Sequence, residues 1–284
     1  MTQPMRTRRL RYLVRGAFRT LAWTEWGPED GRPVVCVHGL TRTGRDFDAL
    51  AAALAARGRF VLCPDLPGRG ESEWLGDPLL YVPPVYVRAL SHLLARLDGG
   101  VDWVGTSLGG ICGMMVAAAA GHPIRRLVLN DIGAAVPAEA VRRIATYVRI
   151  PPPAFGSLDA LEAHLRQVHA PFGPLTDAEW RHLAETSARR LPDGRHVMHY
   201  DPRIAEPFAA GSDGTLDLGP IWSRVEVPVL LIHGARSDIL EEATASAMAE
   251  RPGVRLATLP GIGHAPALME ASQVALVSDF LEQG

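Results

Sequence analysis

From residue 33 onward, short apolar runs alternate with longer stretches whose apolar positions recur at helical spacing. PVVCVHG (33–39), RFVLCPD (59–65), VDWVG (101–105), IRRLVLND (124–131), VPVLLIHG (227–234) and VRLATLP (254–260) have the length and composition of buried strands. Between them, RDFDALAAALAARG (45–58), VYVRALSHLLARLDGG (85–100), LGGICGMMVAAAAG (108–121), a segment near 239–250 and another from about 266 to 282 read as helices. Continuous apolar strands separated by helices predict βαβ crossovers and a parallel sheet with both faces covered. Two earlier segments differ. RTLAWTEWG (19–27) alternates apolar and polar residues as a hairpin partner at a sheet edge does, and Leu10, Tyr12 and Val14 alternate within an arginine-rich stretch. The expected fold is α/β, with a mostly parallel central sheet of about eight strands flanked by helices.

Residues 132 to about 220 break this rhythm. They carry three consecutive prolines (Pro151, Pro152, Pro153), several helix-like pieces and no strongly apolar strand. Thr176-Asp177-Ala178-Glu179 has the spacing of a capping box that opens a helix. LPDGRHVMHYDP (191–202) reads as turns around a short extended piece. The segment 134–220 is therefore expected to be a helical, amphipathic insertion after the sixth strand, covering the site as a lid. The ranges 1–133 and 221–284 are expected to form the core.

Composition narrows the functional classes. A chain of 284 residues, 47% hydrophobic, can bury a sizeable core as one large domain with an insertion. A formal net charge of −2 supplies no basic field, so neither nucleic acid nor a membrane surface is an expected partner. RTRRLRYLVR (6–15) has no apolar run behind it and so reads as a charged strand, neither signal peptide nor membrane span. Cys36, Cys63 and Cys112 form an odd set without disulfide spacing. They are expected to be small buried hydrophobes in a reducing compartment, which makes the cytoplasm the expected location.

One stretch carries chemistry. Gly105-Thr106-Ser107-Leu108-Gly109 matches G-x-S-x-G between an expected strand and an expected helix. In that setting the serine occupies a strained tight turn, the flanking glycines let strand and helix approach, and the helix aims its N–H groups at an oxyanion. Of the ten histidines, His264 in PGIGHAPAL sits on a glycine-rich loop after the last strand, where it can reach Ser107. His38 and His233 end strands in His-Gly pairs and read as structural. His196 and His199 lie three apart outside any clear helix, a poor zinc pattern. Two acids follow Ser107 and precede His264 at strand ends, Asp131 after LVLN and Asp238 after the loop GARS. Chain order does not separate them. The oxyanion requires two N–H donors, expected from the backbones of Leu108 and Leu40.

Together, HGL (38–40), DLPGRGES (65–72), GTSLGG (105–110), LVLNDIG (127–133), LLIHGARSD (230–238) and GIGHAP (261–266) make the chain resemble the α/β-hydrolase fold superfamily, in its lid-bearing bacterial esterase and lactonase-like group. The resemblance spans nearly the whole chain. It implies a catalytic triad of Ser107, His264 and Asp238, the acid after the penultimate strand being the usual one. It also implies acyl transfer through a serine ester, no metal or organic cofactor, and an ester of small or medium acyl chain as substrate. The protein is expected as a monomer or small homo-oligomer. Ser107 argues against the aspartate-nucleophile dehalogenases and epoxide hydrolases. HGLTRTG departs from the longer oxyanion motif of the carbon–carbon bond hydrolases that cleave vinylogous diketones. Those enzymes and lactonases are the alternatives among catalysts, and a non-catalytic ligand-binding homologue is the alternative of another class. Tyr147, Phe155, Phe172, Trp180 and Phe208 are expected either to wall the pocket or to pack within the insertion.

Overall fold

The computed structural model describes residues 5–210 and 214–283, so 211–213 of the expected insertion lie outside the described residues. Eight strands form one sheet: β1 (Arg6–Val14), β2 (Ala17–Trp26), β3 (Pro33–Val37), β4 (Phe60–Pro64), β5 (Val101–Thr106), β6 (Ile124–Asn130), β7 (Val229–Gly234) and β8 (Val254–Leu259). Their spatial order is β1-β2-β4-β3-β5-β6-β7-β8. The pairs β1–β2 and β2–β4 are antiparallel and every other neighbouring pair is parallel, the arrangement expected from the alternating and the continuous apolar patterns respectively.

Among the described residues, eight longer helices accompany the sheet. They are α1 (Asp48–Ala56), α2 (Pro83–Leu94), α3 (Leu108–Ala117), α4 (Ala138–Val148), α5 (Leu158–Val168), α6 (Asp177–Ser187), α7 (Glu242–Ala249) and α8 (Ala271–Glu282). Alternate residues of each central strand enter different cores. Val35 and Val37 join Leu90, Cys112 and Met114 of α2 and α3, whereas Val34 and Cys36 join Leu50 and Leu54 of α1 and Phe280 of α8. Burial on both faces is why these strands read as unbroken apolar runs. The three cysteines are free and buried. Among the described residues no helix is long and apolar enough to cross a membrane.

Helix boundaries differ from the sequence reading by up to six residues, and two of the starts have a local cause. Helix α2 starts at Pro83 rather than Val85, because paired prolines fit the first turn, where N–H groups have no partner in any case. Helix α8 starts at Ala271 rather than 266, because Ala265 and Leu268 adopt φ of 64° and 56°, outside helical space.

The segment between β6 and β7 leaves and re-enters the core at one point. Ala135–Val136 pairs antiparallel with Leu216–Asp217, tying its two ends together. Between them lie α4, α5 and α6, a small hairpin of Ala188–Arg190 with His196–Met198, and 3-10 turns. The expected capping box is present: Thr176 Oγ1 accepts from Glu179 N, and Glu179 reaches back to the Thr176 backbone.

Candidate active site

Ser107 sits between β5 and α3 with φ 51° and ψ −114°, a conformation costly for any residue with a side chain. Its flanking glycines are sterically required. A Cβ on Gly105 would lie 2.4 Å from Gly109, and one on Gly109 would lie 1.9 Å from the carbonyl oxygen of Val37. The turn is pinned from β6, where Asn130 O accepts from Ser107 N at 3.0 Å. Asn130 Nδ2 also donates to Thr106 Oγ1 (2.9 Å) and to the Pro266 carbonyl (2.8 Å), linking the serine turn to the loop that carries His264.

His264 Nε2 lies 3.0 Å from Ser107 Oγ, and its Nδ1 lies 2.7 Å from Asp131 Oδ2. Asp131 is fully buried and holds φ 56° at the end of β6. Its Oδ1 accepts from Gly234 N (2.7 Å), while Oδ2 also accepts from Ser237 Oγ (2.5 Å). Because the carboxylate can only accept, His264 Nδ1 carries the proton and Nε2 is free to accept from the serine hydroxyl.

The sequence reading is corrected here. The structure brings Asp131, not Asp238, against His264. Asp238 lies beyond β7 with a side chain 53% exposed, its Oδ2 2.6 Å from Arg143 Nε of α4. It does not cap α7 either, whose N-cap is Glu241. The physical reason lies in the strand order. β6 stands between the serine strand β5 and β7, so an acid at its very end is buried beside both loops. Three loop residues, Ala235, Arg236 and Ser237, carry Asp238 outward instead. Counted from the strand ends, Asp131 follows β6 directly, whereas three residues separate Asp238 from β7.

The backbone N–H groups of Leu40 and Leu108 have no hydrogen-bond partner among the described residues, and both residues line the cavity at Ser107. The Leu40 loop is fixed by two side chains that the sequence reading did not assign to the site. His38 Nδ1 lies 2.7 Å from the Gly39 carbonyl, while its Nε2 accepts from Leu66 N at 2.9 Å. Burial drives the His38 pKa down to about 3, so the ring is neutral and Nδ1 is the donor. Since the Gly39 carbonyl and the Leu40 N–H share one peptide plane, this bond sets the direction of that N–H. Arg69, fully buried in DLPGRGES, donates Nε to the Leu40 carbonyl at 2.9 Å. The rest of that motif is bracing: Asp65 accepts from Gly44 N and Glu71 N, and Ser72 bridges Asp65 O to Ala22 N.

Ser107 and His264 open onto a cavity of about 1240 Å3, walled by core loops and by the insertion. Of the five aromatic residues considered above, Tyr147, Phe172 and Phe208 line it. Trp180 is buried within the insertion, and Phe155 packs there against the ring of His164. The insertion also grips the histidine loop, with Pro171 O accepting from Gly263 N (2.9 Å) and Phe172 O from Ala267 N (3.3 Å). His196 lies in the insertion hairpin, its backbone paired with Phe155.

Residues 34–278 match the sequence profile of the alpha/beta hydrolase family. A 3-hydroxybutyrate-oligomer hydrolase of Cupriavidus necator is 41% identical, the match covering 92% of each chain. A pimeloyl-[acyl-carrier protein] methyl ester esterase of Neisseria meningitidis is 26% identical over 90% of this chain and 95% of its own. Among solved structures, an alpha/beta hydrolase of Novosphingobium aromaticivorans superposes with a TM-score of 0.87 at 37% identity, covering 99% of both chains.

Proposed function

We propose, for a chain that belongs to the alpha/beta hydrolase family, that it hydrolyses carboxylic esters through Ser107, His264 and Asp131, with short oligomers of 3-hydroxy acids as the substrate class. The observation carrying this reading is the continuous relay Asp131–His264–Ser107, at 2.7 and 3.0 Å, beside two backbone N–H groups without a partner among the described residues. Ser107 Oγ attacks the ester carbonyl as His264 Nε2 takes its proton. Leu40 and Leu108 N–H stabilise the oxyanion, and the buried Asp131 carboxylate stabilises the imidazolium. The carbon–oxygen bond of the ester then breaks, and the leaving alkoxide receives that proton from His264. Water, deprotonated by the same nitrogen, attacks the acyl-serine and releases the acid.

Two observations favour an oligomeric hydroxy-acid ester over a simple short one. The cavity exceeds the roughly 300–1,000 Å3 of ordinary small-molecule clefts. The relative matched over almost its full length bears the name of a 3-hydroxybutyrate-oligomer hydrolase. Residues 134–220 act in this reading as a cap that walls the cavity.

The test pairs labelling with turnover. A fluorophosphonate probe should label the wild type and not Ser107→Ala. The wild type should release 3-hydroxybutyrate from its dimer and trimer, and Ser107→Ala should lose at least about a thousandfold in kcat. Labelling with turnover only of a lactone would retain the triad and reject the open-chain oligomer, and turnover only of a vinylogous diketone would reject the ester class. No labelling and no turnover would reject catalysis.

A further inference from the structure

We infer that Arg236 and Arg143 form a carboxylate subsite on the leaving-group side of Ser107, so that hydroxy-acid oligomers are cut at the ester nearest their free carboxyl end. This rests on the ester-hydrolase reading above and adds to it the end of the substrate that is recognised.

Five charged side chains line the cavity among the described residues. These are Arg42, Arg143 and Arg236 against Asp46 and Asp238. Arg42 is neutralised by a two-pronged pair with Asp46, at 2.8 and 2.7 Å, and is almost fully buried. Arg143 meets Asp238 through Nε alone, which leaves its two terminal nitrogens without a partner among the described residues. Arg236 has neither an ion pair nor a side-chain hydrogen bond among those residues. His164 and His169 add no charge at neutral pH, since burial lowers both of their pKa values. One cation thus remains uncompensated at the mouth of a largely apolar cavity, beside a second with free donors. Two arginines so disposed present planar N–H forks that match a carboxylate.

Its location assigns the part of the substrate. Arg236 N donates to the Ile262 carbonyl, two residues before His264, and neighbouring Ser237 donates to Asp131. The two arginines therefore sit on the histidine side of the serine. The proton for the leaving oxygen comes from His264 Nε2, so the alcohol moiety of the ester lies on that same side. In a 3-hydroxy acid oligomer the terminal alcohol moiety carries the free carboxylate, separated from the ester oxygen by two carbons. A substrate whose scissile carbonyl lies at Ser107 with its leaving oxygen at His264 brings that carboxylate toward Arg236 and Arg143. Acyl units upstream of the cut extend the other way, along the apolar wall of the insertion. Asp238, the acid that the sequence suggested for the triad, acts here as a positioning residue that holds Arg143 in place.

The experiment compares 3-hydroxybutyrate dimer with its methyl ester, capped at the carboxyl end, scoring only cleavage of the internal ester. Wild type should prefer the free acid in kcat/KM, and added salt should erode that preference. In Arg236→Gln the preference for free acid over methyl ester should fall about tenfold or more through KM, the scale of a charge-assisted hydrogen bond. Arg236→Lys should restore part of it. Equal kcat/KM for the two dimers in the wild type, or an unchanged ratio in Arg236→Gln, would overturn the subsite while leaving the ester reading intact. Fluorophosphonate labelling of every variant shows separately that the serine is poised. Were the wild type neither labelled nor active on either dimer, the underlying reading and the subsite would fall together.

Discussion

Asp131 commits its backbone as well as its carboxylate to the site. It holds φ 56°, and with Ser107 at 51° and Ala265 at 64° it places three left-handed non-glycine residues at or beside the hydrogen-bonded relay from Asp131 to Ser107. Such strain persists only where surrounding hydrogen bonds over-determine the geometry. At Asp131 these come from Gly234 N, Ser237 Oγ, His264 Nδ1 and its own N–H to the Ile232 carbonyl. Replacing it with asparagine keeps the size but lets an amide N–H face His264, which favours the wrong tautomer. Asp131→Asn should therefore lower kcat by about 10^4-fold, the scale known for this change in serine triads. Asp238→Asn removes only a half-exposed ion pair and should cost less than about fivefold. Measuring kcat for both variants on one ester decides between them, and a larger loss at Asp238 would defeat the assignment. Ser107 and His264 were legible in the sequence because glycine spacing and loop position are local signals. The acid was not, because it depends on which strand ends stand side by side. His38 and Arg69 were missed for a related reason: they act through the carbonyls of Gly39 and Leu40, contacts that no motif spacing encodes.

At the level of elements, the insertion does more than roof the cavity. The turn at 170–172 accepts hydrogen bonds from Gly263 N and Ala267 N, on either side of His264, and leaves little room between them. A Cβ on Gly263 would lie 2.8 Å from Pro171 Cβ, although Gly263 itself is not among the positive-φ residues. Gly263→Ala should thus be tolerated by its own backbone yet push the turn away from the histidine loop. The expected result is a drop in kcat of about tenfold, as for a small misplacement of a catalytic group. Thermal unfolding should change little, and Pro171→Gly in the same chain should restore part of the rate. Unchanged kcat in Gly263→Ala would show that turn and histidine loop are not coupled. Periodicity could not reveal this contact. The core strands announced themselves through apolar runs buried on both faces, whereas the insertion's strands are only two or three residues long and too short to carry a period.

Across the whole molecule, the α/β layering followed from the alternation of runs and periods, but the docking of the insertion onto the core rests on pairs distant in sequence. One of these is sensitive to pH. His182 of α6 places Nε2 3.2 Å from Asp48 Oδ2 at the start of α1, and Arg45 pairs with the same carboxylate. The hydrogen bond to Asp48 raises the His182 pKa above its ordinary 6.5, against partial burial and Arg45, which lower it. The folded state therefore binds this proton more tightly than the unfolded chain does. The resulting stabilisation is fully present below about pH 6.5 and is lost as pH rises through the higher folded value. His38 and His169 work in the opposite sense. Their pKa values are lowered by burial, so they cost stability as pH falls below the unfolded value. Their effects would mask that of His182 in a single melting curve. They cancel when wild type is compared with His182→Gln, which shares them. The stability difference between these two proteins should be largest near pH 5.5 to 6 and shrink steadily toward pH 9, as read from denaturant midpoints across that range. A difference that stayed constant with pH would mean that His182 holds the insertion by packing alone.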